Sequence, residues 1–272
     1  MKIPLSHRLQ CCADHIAPGV RVADIGCDHG YLGIYLLKER GATAVIAADV
    51  NEAPLQSAMH NARKFGVADR MHFYLSDGAQ NIPRDFDTLV CAGMGGDTMI
   101  HILNAAPWLR ADQYSLVLQC QSKTPMLRRY LSDMGWCIAK ETVLRDGKFL
   151  YTVMDVRWQP DAPKLTAGQC YISPALCANP TPELQEYYDR ILEGLRLAVT
   201  HQGDREKAQI LAELESCPKS AAPAPIREEE EQVSMLDLRS QQVCAVLEGL
   251  SVETLTPIEA MNELYKLKKM LE

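Results

Sequence analysis

Val22-Ala23-Asp24-Ile25-Gly26-Cys27-Asp28-His29-Gly30-Tyr31 is a hydrophobic strand that breaks into a glycine-bearing turn immediately before an apolar helix. In an open α/β sheet such a junction holds a nucleotide-sized ligand just beyond the carboxyl end of the strand. Gly26 and Gly30 free the backbone for tight or positive-φ geometry and for close approach to that ligand. Further along, Ala44-Val45-Ile46-Ala47-Ala48 reads as a second buried strand ending in Asp49. A carboxylate there can accept two hydrogen bonds from a ribose diol. A glycine pair alone also fits an ordinary strand-turn-helix junction with a solvated acid; with Asp49 added, the two signals point to an adenosine-type cofactor.

The turn also discriminates among cofactors. A dinucleotide turn receives a pyrophosphate on its helix N-terminus and is uncharged. Asp28 occupies the middle of this one. A fixed carboxylate repels a pyrophosphate and attracts a sulfonium or an α-amino group. S-adenosylmethionine carries both cations, and it is the expected cofactor.

Outward from the turn, strands and helices alternate. A helix with Leu5, Leu9, Cys12 and Ile16 at helical spacing runs to about Ala17 and stops at Pro18-Gly19. Strands are expected at Arg21 to Ile25, Ala44 to Asp49, Met71 to Leu75, Thr88 to Cys91 and Ser115 to Gln119. Helices are expected at Tyr31 to Arg40, Asn51 to Phe65, Thr98 to Asn104 and Thr124 to Met134, with Ala92-Gly93-Met94-Gly95-Gly96-Asp97 as a loop between the fourth strand and its helix. Trp136 to Leu144 and Phe149 to Arg157 form a hairpin across Arg145-Asp146-Gly147-Lys148. The predicted fold is therefore α/β: a class I, Rossmann-like methyltransferase sheet of seven strands, mostly parallel and closed by an antiparallel hairpin.

Composition shifts beyond Pro160. Residues 1–158 form the expected cofactor domain, and 159–217 a helical hairpin or short coiled coil built from Glu183 to Thr200 and Arg205 to Leu214. Residues 218–232 read as a proline- and alanine-rich linker ending in the acidic run Glu228-Glu229-Glu230-Glu231. Residues 233–272 read as a helical tail too short to bury a core alone, whose expected use is self-association.

The chain carries a net charge of −7, concentrated beyond Trp158. An acidic chain is not a generic nucleic-acid binder, so any RNA contact needs a local basic patch. Lys123, Arg128 and Arg129, beside Arg63 and Lys64, are the candidates; the same spacing also fits a solvated helix face. Ten scattered cysteines without a C-x-x-C pair argue against zinc and against a disulfide framework. No run of eighteen apolar residues and no signal-peptide core is present, so a cytoplasmic location is expected.

Leu5-Ser6-x-Arg8-Leu9, Ala23-Asp24-Ile25-Gly26-x-Asp28-His29-x-Tyr31-Leu32, Val50-Asn51-Glu52 and Ala92-Gly93-Met94-Gly95-Gly96 together resemble the bacterial tRNA (adenine-22-N1)-methyltransferase family, over roughly Leu5 to Leu214. The sequence departs from that family at Leu118-Gln119-Cys120-Gln121, where members often show L-Q-P-N. Residues Ser251 to Glu272 resemble the small C-terminal oligomerisation segment of MutS mismatch-repair proteins, which implies a homo-oligomer. The first resemblance implies methylation of N1 of an adenine in tRNA, with tRNA as partner and no metal.

Motif position and resemblance together assign Asp24, Gly26, Asp28, Gly30, Asp49, Val50, Asp77, Gly78, Gly93 and Met94 to the cofactor, Asp49 on the ribose and Asp77 with Gly78 on the adenine amino group. Met94, Gly95, Gly96 and Gln119 would shape the base pocket, with Lys123, Arg128 and Arg129 on the RNA. Adenine N1 attacks through an in-plane lone pair and becomes cationic, so an anion nearby stabilises the transition state. Asp28 is the expected anion, with His29 and Tyr31 orienting the base. His29 also reads as a turn residue, and Tyr31 as packing. Two rivals are a class I methyltransferase acting on a small molecule or protein, and a non-catalytic tRNA-binding scaffold.

Overall fold

The computed structural model describes residues 2–202 and 204–216. The linker expected at 218–232 and the tail at 233–272 lie outside the described residues. The elements run α1 (His7–Asp14), β1 (Arg21–Ile25), α2 (Tyr31–Glu39), β2 (Ala44–Asp49), α3 (Glu52–Phe65), β3 (Met71–Leu75), β4 (Thr88–Gly95), α4 (Gly96–Ala105), β5 (Ser115–Ser122), α5 (Thr124–Asp133), β6 (Trp136–Asp146) and β7 (Phe149–Trp158). Four helices follow: α6 (Ala167–Tyr171), α7 (Pro174–Cys177), α8 (Leu184–Gln202) and α9 (Arg205–Ser216).

The strands join in one sheet in the order β3-β2-β1-β4-β5-β7-β6. All pairings from β3 through β5 are parallel, and β7 lies antiparallel between β5 and β6. The chain leaves β1 to one side for β2 and returns on the other side as β4, which makes the carboxyl end of β1 the switch point where such sheets bind ligands.

Both faces of the sheet are covered, so its strands read as nearly continuous apolar runs. Val22, Val45, Val90, Val117 and Val153 face α1, α2 and α3, whereas their neighbours Ala23, Ile46, Leu89, Leu116 and Met154 face α4 and α5. Asp24 shares the face of Val22 by strand alternation. α1 begins where the Ser6 hydroxyl accepts from the Leu9 N–H at 3.3 Å.

One boundary differs from expectation. The sequence ends the fourth strand at Cys91, but β4 continues to Gly95, pairing Met94 with Cys120 and Gly95 with Ser122 through register shifts on either side of Met94. β5 is itself longer than expected and offers the partner backbone, and Gly93 at φ 82° supplies the kink. The G-M-G segment is thus a bulged strand end, and α4 starts at Gly96.

The helical region adds its own apolar cluster, in which Leu176, Leu184, Leu192, Leu195, Ile210 and Leu214 close over Val143 of β6. Beneath it lies a fully buried ion pair. Arg128 of α5 donates from Nε and Nη2 to the Glu141 carboxylate, from Nη1 to the carbonyls of Cys170 and Tyr171, and from Nη2 to the Tyr187 hydroxyl. Ser173 completes the node by donating to Glu141 Oε2 at 2.5 Å. Among the described residues no helix is long and apolar enough to cross a membrane.

Candidate active site

A cavity of about 290 Å³ opens at the carboxyl ends of β1 and β4, with Asp24, Gly26, Asp28, Tyr31, Gly93 and Met94 in its wall together with Arg8, Cys27, His29 and Gln121. Its floor is set by backbone shape. Gly26 sits at φ 74°, and a Cβ there would lie 2.2 Å from Cε of Met94, so the methionine lies directly on the bare turn. The bulge in β4 is what carries Met94 across to β1.

Two carboxylates, Asp24 and Asp28, line the cavity, and a third, Asp49, lies outside its wall next to Asp28. Asp49 is 8% exposed; its Oδ1 accepts from the Asn51 N–H at 2.9 Å and its Oδ2 from the Asp28 N–H at 3.4 Å, which helps hold Asp28 at φ 49°. Asp28 projects its carboxylate outward, 73% exposed, with Oδ1 3.7 Å from His29 Nε2. Asp24 is buried, and its Oδ2 has no hydrogen-bond partner among the described residues. Burial, with Asp49 and then Asp28 adding their negative charge, pushes the Asp24 carboxyl up to about 7.

A buried carboxylate oxygen left unanswered is costly in a finished protein interior and calls for a partner. A cation in this cavity would answer it, hold Asp24 ionised and offset the crowding of three acids. S-adenosylmethionine fits that donor set, since the cavity offers carboxylates to a cation and bare backbone at Gly26. Beyond the cavity, Val50 and Leu75 lie 63% and 58% exposed at the adjoining ends of β2 and β3, where Asp49 pairs with Leu75. Both are apolar side chains left uncovered at that end of the sheet.

A protein-family model described as methyltransferase domain matches residues 5–154. The chain belongs to the methyltransferase-domain family. A putative tRNA methyltransferase of Mycoplasma genitalium is 32% identical over 160 residues, 57% of this chain and 70% of that one. The tRNA (adenine(22)-N(1))-methyltransferase of Bacillus subtilis is 30% identical over 154 residues, 56% of this chain and 65% of that one. A putative tRNA (m1A22) methyltransferase from Streptococcus pneumoniae, solved in complex with S-adenosyl-L-methionine, superposes with a TM-score of 0.69 at 28% identity, covering 77% of this chain and 99% of that one. The chain is thus similar to tRNA methyltransferases, among them ones named for adenine 22. A second model, the DNA mismatch repair protein MutS C-terminal region, matches residues 239–270, which lie outside the described residues.

Several of the expected site residues also make contacts within the protein. Gly30 caps α2 at φ 71° away from the cavity; a Cβ there would meet Ala58 Cβ at 2.9 Å, so its bareness serves the packing of α2 on α3. Gly96 is buried against the Lys123 carbonyl oxygen, 3.0 Å from where a Cβ would sit, and Gly95 against Ser122 Oγ at 3.0 Å; both let β4 and α4 pack on the end of β5. Asp77 follows β3 in an exposed loop, 3.4 Å from His101 Nε2, and Gly78 packs on Ile102.

Arg128 is corrected outright. Its guanidinium is 0% exposed and fully engaged in the node under the helical region, so it reaches no RNA. Gln119 is likewise buried and touches no substrate surface. Its Oε1 accepts from Arg8 Nη1 and from the Gly93 N–H, both at 2.9 Å, which ties α1 to the bulge that carries Met94. Lys123 pairs with Asp97, and Arg129 lies 3.8 Å from Glu206; both are exposed.

Arg8 and Gln121 line the cavity although neither was singled out from sequence. Arg8 stood in the opening motif, and Gln121 one strand alternation beyond Gln119, so the signal was present. Cys27, also in the wall, has its thiol held protonated by burial and by Asp24 and Asp49, which removes it as a nucleophile.

Proposed function

We propose that this chain transfers a methyl group from S-adenosylmethionine to N1 of the adenine at position 22 of tRNA. The observation that carries the reading is the buried Asp24 carboxylate, one oxygen of which has no partner among the described residues, in the wall of a cavity at the switch point of a methyltransferase sheet. The names borne by its relatives supply the acceptor. Bound there, the cofactor would supply an electrophilic methyl group on a positively charged sulfur.

The chain's own residues bind, align and shield. Asp24 would hold the cofactor's cationic end, Asp49 its ribose, and Val50 with Leu75 the faces of its adenine. Met94, lying on Gly26, narrows the cavity and keeps water from the reacting atoms. N1 lies on the Watson–Crick edge, so the target adenine must be unpaired or flipped out before it enters. N1 attacks without losing a proton, and the ring becomes cationic as the bond forms. Asp28 at the cavity mouth stabilises that charge, with His29 and Tyr31, their rings 5.9 Å apart, beside it to orient the base.

The organisation proposed is a catalytic unit at 1–158, a helical unit at 159–217 fixed to it through the Arg128–Glu141 node, and a self-associating tail at 233–272. Unmodified tRNA transcripts incubated with the full chain and labelled donor test the reaction, followed by mapping of the altered nucleotide. The expected product is 1-methyladenosine at position 22. Label transferred to small metabolites or protein, with none on tRNA, contradicts the proposal.

A further inference from the structure

We propose that the tip of the β6–β7 hairpin is a stacking platform for single-stranded RNA, on which Phe149 takes the face of a nucleobase neighbouring the target adenine and Lys148 takes a phosphate. This rests on the tRNA reading above and names a surface that reading does not use.

β7 runs antiparallel to β5, so its first residues emerge beside the carboxyl end of β5 and hence at the cavity end of the sheet. Phe149 and Tyr151, two residues apart, share one face of β7. That face is the one α1 covers: Tyr151 packs in the α1 cluster, and the Arg8 guanidinium stands 5.9 Å from the centre of its ring. α1 begins at His7, and the next ring along the strand is left uncovered. Phe149 is 52% exposed, with its ring centre 6.1 Å from that of Tyr151. Lys148 Nζ lies 5.3 Å from the Phe149 ring centre, and no carboxylate among the described residues lies within 4.0 Å of it.

The result is a row from the cavity wall to the hairpin tip in which two neighbouring rings are flanked by cations: Arg8, Tyr151, Phe149, Lys148. The inner cation is balanced by Asp146, 3.6 Å from Arg8 Nε, and the outer one is left for an external anion. The turn is only two residues long, with Gly147 at φ 59° in the first position, as tight hairpins require, so the platform is presented on a rigid element. Single strands are bound by exposed rings that stack bases and by cations beside them that take the backbone phosphates. An apolar protein partner covering Phe149 would instead strip water from Lys148 with nothing to answer its charge. An adenine drawn out of its stack also leaves neighbours that need a new stacking partner.

Steady-state methylation of an unmodified tRNA transcript by the full chain, at saturating donor, tests the platform in the wild type, Phe149→Ala, Phe149→Trp and Lys148→Ala. Phe149→Ala is expected to raise KM for tRNA ~10-fold while kcat stays within ~2-fold, with donor affinity and melting temperature unchanged. Phe149→Trp keeps the wild-type KM and gains indole fluorescence that tRNA quenches relative to the wild type. Lys148→Ala raises KM less and flattens its salt dependence by about one counterion. An unchanged KM in Phe149→Ala overturns the platform while leaving the methylation reading intact, and so does a KM change accompanied by lower donor affinity, a lower melting temperature or an altered oligomeric mass. Absence of methylation by the wild type is a separate result that removes the tRNA reading, and the platform with it.

Discussion

Arg128 and Asp24 are 0% and 3% exposed, and the protein treats them in opposite ways. Around Arg128 every nitrogen is answered: Glu141 takes Nε and Nη2, two main-chain carbonyls take Nη1, and a tyrosine hydroxyl also accepts from Nη2. Around Asp24 the neighbouring charges are of its own sign, and one oxygen faces no donor. Burial by itself would discharge either group. At Arg128 the attraction of Glu141 more than reverses that, whereas at Asp24 the Asp49 charge adds to it. A buried charge whose partners are all within the chain is architecture, here the bolt between sheet and helical region. A buried charge whose partner is missing from the chain is waiting for a ligand.

The largest expected effect tests the architectural half. Arg128→Ala leaves Glu141 buried without its counter-charge and should cost about 3–5 kcal/mol of stability, read by chemical denaturation. Replacing both partners together, Arg128→Met with Glu141→Leu, should recover most of that loss. If Arg128→Ala unfolds at the wild-type denaturant midpoint, the node is not a bolt.

A smaller effect, of unusual sign, sharpens the ligand half. Without cofactor, the folded chain keeps a proton on Asp24 up to about pH 7, whereas the ordinary carboxyl value is 3.8. The native state then binds more protons than the unfolded one between those values, so this group's contribution to stability falls as pH rises from about 4 to 7 and levels off above. The slope should total on the order of 2 kcal/mol, softened by water entry. It should disappear in Asp24→Asn. A wild type and Asp24→Asn with parallel stability profiles over that range would show that Asp24 titrates normally.

Gly26→Ala should show the smallest loss of stability, about 1 kcal/mol for a Cβ at positive φ. Its effect on donor binding should be far larger, because that Cβ needs the space of Met94 Cε. Calorimetry with S-adenosylmethionine alongside thermal melting separates the two; equal losses in both would mean that Gly26 serves only the fold.

The contrast also shows what could be read from sequence. The strand-turn-helix at Val22 to Tyr31, the second strand ending at Asp49 and the closing hairpin follow from local apolar pattern and turn chemistry, and they give the seven-strand sheet. Arg128 was misplaced because its covering comes from far along the chain, at Cys170, Tyr171 and Tyr187, and its counter-ion from the next strand. The available clue was its position on the buried stripe of α5 between Leu127 and Leu131. Gln119 was misread for a related reason: a polar residue in an apolar strand signals a partner, but not whether that partner is substrate or, as here, Arg8 and the Gly93 amide. The strand end at Gly95 escaped because glycines signal a loop and a bulge alike.

If the Asp24 cavity is built for a cationic sulfur donor, binding of that donor must depend on the charge of Asp24. Calorimetric titration of S-adenosylmethionine into the wild type and Asp24→Asn, at pH 6 and pH 8, tests it most directly. The wild type should bind about tenfold more weakly at pH 6 than at pH 8, and Asp24→Asn at least ~30-fold more weakly than the wild type at pH 8 with no further loss at pH 6. Asp24→Asn binding as tightly as the wild type at both values would contradict it.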